Sequence, residues 1–311
     1  MQILIRVRKP SSIAWLLAAA RLIGSNPLPR TALIAGAALA ATLIPQHTKA
    51  ANLYWGTSGT WNTASVWGTS ATGPFNTRTF AAGDIAYFSQ TTATVTFATQ
   101  TIGGINALAN TTTTISAGGT ASTAAGGIVI DVATGAILTW SGQSFSATAG
   151  NFVITKNGLG TLNLGSSTTT ATSGNSVTLN AGTLIVAGDK ALGGGAAASL
   201  TINGGTLQST GSRAFANPTI TIGGDFTNAG SGTATYSGSF NLGTATSRTI
   251  TNDTASGGRV YSGITSGNLS TTAGSGLIFS GTSQGAGGAQ TYLSNSANTF
   301  TGAITITNGE V

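Results

Sequence analysis

The chain has 311 residues, 46 of them Gly, with charged residues at 6% and no Cys. That composition departs from an average globular enzyme and leaves no disulfide to hold the chain together. The formal charge of +6 is unevenly placed: Arg6, Arg8, Lys9, Arg21, Arg30 and Lys49 fall in the first fifty residues, which hold no Asp or Glu, while the rest balances to zero. The pI near 10.1 is thus a property of the leader, and no nucleic-acid partner is expected from it.

Residues 1–50 have the order of a secretory signal peptide. A basic stretch precedes the apolar run TALIAGAALAATLI (31–44), then come Pro45 and the small residues Thr48 and Ala50, so cleavage is expected after Ala50. The run is too short to span a bilayer, which takes roughly 18 to 20 apolar residues. The mature chain is therefore expected to be exported, to the cell surface or beyond.

Residues 51–90 concentrate the aromatics: Tyr54, Trp55, Trp61 and Trp67, followed by Phe75, Phe80, Tyr87 and Phe88. Terminal coils of a repeat protein need a cap over the exposed core, and large rings serve that end. The competing reading has Trp55, Trp61 and Trp67, at equal intervals of six, present their faces to a glycan.

From residue 91 onward apolar residues alternate with Thr, Ser and Asn, as in TATVTFATQT (92–101), GIVIDV (127–132), NFVITK (151–156) and PTITIGG (218–224). This is the period of a strand, and the gaps carry Gly, Asn and Ser. The tripeptide Gly-Thr-Leu begins at Gly160, Gly182 and Gly205, within the related phrases VTLNAGTLIV (177–186) and LTINGGTLQS (200–209). Intervals of 22 and 23 residues fit one coil of a parallel β-solenoid, in which stacking makes the continuous core that a single coil lacks. Val177, Leu179, Leu184 and Val186 are expected to point inward, with Asn180 to Gly182 turning the corner. Gly182, Gly205 and Gly309 mark that corner, and Asn180, Asn203 and Asn308 are placed to share hydrogen bonds between coils. About a dozen coils would make a rod on the order of 55 Å long.

The segment KNGLGTLNLGSSTTTATSGNSVTLNAGTLIVAGDKALGGG (156–195) resembles the autotransporter-associated β-strand repeat, also called the passenger-associated transport repeat. Lys156, Gly158, Gly160, Thr161 and Leu162 match the opening of its pattern. Asn180, Gly182, Thr183 and Leu184 match the close, and Gly205, Thr206 and Leu207 repeat it. Ala191 to Gly193 match the tail. The aromatic middle of the pattern is missing there and occurs instead in ANTFTGAITITNGEV (297–311), at Asn298 to Gly302. The resemblance implies an all-β, right-handed parallel β-helix over residues 91–311, displayed as a bacterial surface passenger. Its partners would be the export machinery and outer membrane, and then a surface glycan or host protein. The repeats would assist export; a full-length autotransporter would also carry a C-terminal membrane β-barrel, so the chain is expected either to be part of something longer or to follow a different export route.

Little catalytic chemistry is on offer. The one His, His47, lies in the leader, so the mature part has no Ser-His-Asp triad and no imidazole for a metal. GLGTLNLG (158–165) lacks the Lys-Ser/Thr ending of a phosphate loop, and the turns lack the Gly-Gly-x-Gly-x-Asp calcium pattern. No cofactor and no metal are therefore expected, and the chain reads as non-enzymatic. The runner-up is a β-helical polysaccharide-active enzyme or carbohydrate-binding protein drawing on Asp189 with Lys190, Arg213 with Asp225, and Asp253 with Arg259. Against it, Asp84, Asp189 and Asp225 sit in turn contexts, where Asp is favoured for its local hydrogen bonds.

Overall fold

The computed structural model describes residues 50–308 except 77, 117, 124–126, 141, 143, 148–151, 166–167, 170–174, 193–197, 264, 270, 272–274 and 282–289. Residues 1–49, expected above to belong to a signal peptide, and Gly193 and Gly309 lie outside the described residues. Residues 50–311 form one unit by themselves, and that unit is a parallel β-solenoid. The described residues contain no α-helix; the one helical turn is a 3-10 element at Ala64–Val66.

Two long faces carry the stack, each an eleven-stranded sheet. The first face runs from Asn52–Trp55 to Thr265–Leu269, and the second from Gly59–Thr60 to Ile304–Asn308. At roughly 4.8 Å per strand this is a stack of roughly 50 Å, close to the length expected from the repeat. A third side is built in two pieces, each of four strands. One begins at Gln100–Ile102 and the other ends at Gln290–Leu293.

The repeated phrase folds as its alternation predicts. Ser176–Leu179 and Thr183–Val186 alternate partly exposed with buried residues, so Val177, Leu179, Leu184 and Val186 fill the lumen. Register then aligns like with like: Val177 opposite Leu200, Leu179 opposite Ile202 and Leu184 opposite Leu207. On the second face one inward column reads Leu138, Leu162, Leu184, Leu207 through four successive coils. Fully burying each such Leu stabilises the stack by about 2 kcal/mol.

At the corner, Gly182 and Gly205 have φ of +70° and +84°, and a Cβ on either would lie 2.4 Å from a carbonyl oxygen of the preceding coil. The corner therefore requires glycine twice over, by conformation and by close approach. The unequal intervals of the Gly-Thr-Leu tripeptides also have a cause. Lys156 pairs with Leu179 on the first face, and Thr161 pairs with Thr183 on the second. The corner of the earlier coil is thus one residue longer, and Leu159 projects from it with 70% of its surface exposed.

Between the two pieces of the third side, the tail of the repeat takes the place of a strand. Ala191 and Leu192 are fully buried, and Asn217 Nδ2 donates to the Leu192 carbonyl at 2.8 Å. At the N-terminal end Trp67–Gly68 pairs antiparallel with Asn52–Trp55, and Trp67 Nε1 donates to the Trp61 carbonyl at 2.6 Å. Residues 51–90 are continuous with the solenoid, because they also supply Asn52–Trp55 and Ile85–Phe88 as rungs of the first face.

The NTFTG stretch near the other end works as edging for the first face. Asn298 Oδ1 accepts from the Thr265 amide at 2.8 Å, and Thr301 Oγ1 donates to Asn268 Oδ1 at 2.7 Å. Ile304 and Ile306 stand in register with the buried Leu277 and Phe279, yet are 48% and 49% exposed.

Candidate functional site

The resemblance residues come together as a stacking device. Lys156 occupies an inward position, in register between Ile130 and Leu179, and is buried. Its ammonium turns toward the corner and donates to the carbonyls of Asn157, Gly158 and Ala181 at 2.7, 2.8 and 3.1 Å. Three acceptors match the three donors of the charged amine. Burial pulls the Lys156 pKa down to about 8, and the attraction of Asp131 opposes that shift. Outside the same corner Asn180 Nδ2 donates to Asn157 Oδ1 at 2.7 Å, and Asn203 Nδ2 donates to Asn180 Oδ1 at 2.8 Å. The expected asparagine ladder is present, but it begins at Asn157. Asn308 is placed only by backbone register, opposite Ser280.

The turn aspartates hold neighbouring coils. Asp225 Oδ1 accepts from the Thr249 amide at 2.8 Å and Asp189 Oδ1 from the Ala214 amide at 3.2 Å. Asp84, which is buried, accepts from the amides of Ala51 and Ala81 at 2.7 and 2.9 Å. Of these bonds only the one to Ala81 is a local turn contact. The others cross between coils and take up amides at points where the strand ladder is interrupted, a fuller role than the turn chemistry expected of them.

The pairs weighed for catalysis are arranged differently from the expectation. Arg213 lies 3.8 Å from Asp189, an exposed pair of little energetic weight, and this replaces the expected pairing with Asp225. Asp253 is exposed on the second face, whereas Arg259 is buried. Arg259 donates to the carbonyls of Ala229, Gly232 and Gly258 at 2.7, 2.9 and 3.3 Å. Its neighbours form a polar stretch of lumen that alternation alone did not reveal. Tyr236 donates to Asn228 Oδ1 at 3.0 Å, and Asn228 Nδ2 donates to the Tyr261 hydroxyl at 3.1 Å. The two tyrosine rings stack at 5.4 Å, and burial pushes the Tyr236 pKa up to about 12 and that of Tyr261 higher still. Asn252 Nδ2 donates to Thr291 Oγ1 in the same stretch. Desolvation also lowers the Arg259 pKa, with the two tyrosines acting in the opposite direction.

The glycan reading of the tryptophans is corrected by their position. Trp55, Trp61 and Trp67 are fully buried, packed edge to face against one another and against Phe80 and Phe97 at centroid distances near 5 Å. A sugar stacks on an open ring face, and none of the three offers one. Their work is to fill the first coils, each edge-to-face pair adding about 1 kcal/mol beyond burial.

An opening toward solvent lies elsewhere, on the second face. A groove of about 460 Å³ crosses three coils, walled by Gly205 and Thr206, then Asp225 and Thr227, then Thr249 and Thr251, with Phe226 at its base. Thr206, Thr227 and Thr251 stand in one register column. Among the described residues no three or more His, Cys, Asp or Glu converge as a metal site, and no helix is long and apolar enough to cross a membrane. Comparisons of the chain with protein-family models, with characterised proteins and with solved structures found no match.

Proposed function

We propose that the chain is an exported, surface-displayed β-helical passenger of the autotransporter type, acting as a structural stalk or adhesin without catalysis of its own. The observation that supports this reading most directly is the use to which the repeated phrase is put. Lys156, Asn180, Gly182, Thr183 and Leu184 are all engaged in joining one coil to the next. A phrase that repeats for stacking extends a rod, and a rod is what holds a binding surface away from a cell. Coil-by-coil folding of such a stack would also suit passage across the outer membrane, as the repeat resemblance implies.

Expression of the whole chain in a Gram-negative host tests the export reading. The expected result is a processed protein outside the cytoplasm whose N-terminus is Ala51. Retention of the uncleaved chain in the cytoplasm would overturn it. Incubation of the purified protein with polysaccharides is expected to leave them intact, and release of new reducing or unsaturated ends would replace the stalk with a polysaccharide-active enzyme.

A further inference from the structure

We propose that the groove across Gly205, Asp225 and Thr249 binds a segment of a neutral polysaccharide; this assignment rests on the adhesin reading and gives it a site. The groove falls within the range of roughly 300 to 1,000 Å³ occupied by small-ligand sites. Such sites are usually lined by apolar side chains, whereas this one is walled by four threonines and a carboxylate, over the buried Phe226. A hydroxyl-rich ligand matches that lining, since each threonine hydroxyl both donates and accepts. The threonine methyl groups leave apolar spots for the C–H faces of a sugar.

Asp225 sets the charge class. Only its Oδ1 is engaged, by the Thr249 amide, and the side chain is exposed. Its second oxygen faces solvent and accepts from ligand hydroxyls, and hydrogen bonds to an ionised acceptor are roughly twice as strong as neutral ones. No Lys or Arg is among the lining residues, so a sulfated or uronic-acid polymer would meet a lone carboxylate and be repelled. The open geometry also matters. The groove follows the stack axis across three coils at a repeat of roughly 4.8 Å, which suits a chain laid along it better than a small molecule held at one end.

The test uses the full chain and three classes of soluble polysaccharide, neutral, amino-containing and uronic-acid-containing, in affinity electrophoresis and calorimetry. Retardation by at least one neutral polymer is expected, with the uronic-acid class inert. Asp225→Asn keeps an oxygen for the Thr249 amide but removes the charge, and is expected to weaken binding about tenfold. Thr227→Val together with Thr251→Val preserves shape and ladder, and is expected to weaken it by a similar factor at unchanged melting temperature. Thr201→Val, on the first face, is expected to leave affinity unchanged. Absence of binding to any neutral polymer, a preference for either charged class, or unchanged affinity in the Asp225 and threonine variants relative to the unsubstituted chain would overturn the site. The export experiment is independent of this one. An exported, correctly processed chain that binds no polysaccharide removes the groove assignment alone, and a retained chain that binds them removes the surface reading alone.

Discussion

Two stretches of one lumen are filled by opposite means. On the second face the inward column reads Leu138, Leu162, Leu184, Leu207 and then, in the next two coils, Asn228 and Asn252. The leucine coils need partners of matching size only. The asparagine coils take hydrogen-bonding partners from the third side: Tyr236 and Tyr261 engage both ends of the Asn228 amide, and Asn252 Nδ2 donates to Thr291. The third side is plugged by Ala191 and Leu192 only in the coil of Leu184 and is closed by strands in the other coils of both stretches, so the polarity of the lumen follows the inward residues of the second face and not the manner of closure. A solenoid thus tolerates amides in its lumen where the neighbouring side supplies partners, as it does for both ends of the Asn228 amide.

The largest effect is expected from carrying the polar solution into the apolar stretch. Leu184→Asn places an amide among leucines with no tyrosine in reach and should lower stability by about 4 kcal/mol, read as a fall in the denaturation midpoint at constant m-value. Next is Arg259→Ala, which leaves the Ala229 and Gly232 carbonyls without their donor and opens a cavity, a loss of about 3 kcal/mol. Hydrogen exchange should place that loss in the C-terminal coils, and uniform deprotection would contradict the division of the lumen. Asn228→Leu, which extends the leucine column by one coil, should cost about 2 kcal/mol because two tyrosine hydroxyls lose their partner. Adding Tyr236→Phe and Tyr261→Phe should recover most of it, as the polar trio is then removed as a set.

The smallest effect is a pH profile that separates the two stretches by sign. Lys156 is held at about 8 against an ordinary 10.5, so the unfolded chain binds the additional proton between those values and stability rises with pH through that window. Below about pH 8 the full penalty of the buried ammonium is present. Tyr236, raised from 10.0 to about 12, acts the other way. Its contribution is intact below pH 10 and is lost as pH rises toward 12. Thermal melting from pH 7 to 11 should therefore climb and then fall. Lys156→Met should remove the climb and keep the fall, and an unaltered climb in that variant would refute the buried ammonium.

Much of the apolar stretch was legible from alternation and spacing, because each inward position of VTLNAGTLIV is a Val or Leu and each corner carries Gly. Lys156 was legible only as a match to a repeat pattern. A charged residue at an inward phase reads as a surface residue until the carbonyls it reaches are known. Arg259 and Asn228 were hidden for the same reason, since their partners lie eight to thirty-three residues away on other sides of the coil. The tryptophans show the converse. Equal spacing allowed either an open row of rings or a packed cluster, and only the antiparallel return of Trp67–Gly68 onto Asn52–Trp55 decides for the cluster. The groove had no signal in the chain at all, as its walls come from three coils.

The longer corner at Leu159 bears on how such a molecule changes over time. Both faces regain their pairing with the next coil, although one corner contains a residue more than its neighbour. Length there is decoupled from alignment in the lumen, because each face is aligned by its own ladder and the surplus is displaced outward. Corners of this kind are places where a peptide loop could be spliced in without disturbing the coils above or below, so new surface chemistry can be tried along the rod one coil at a time.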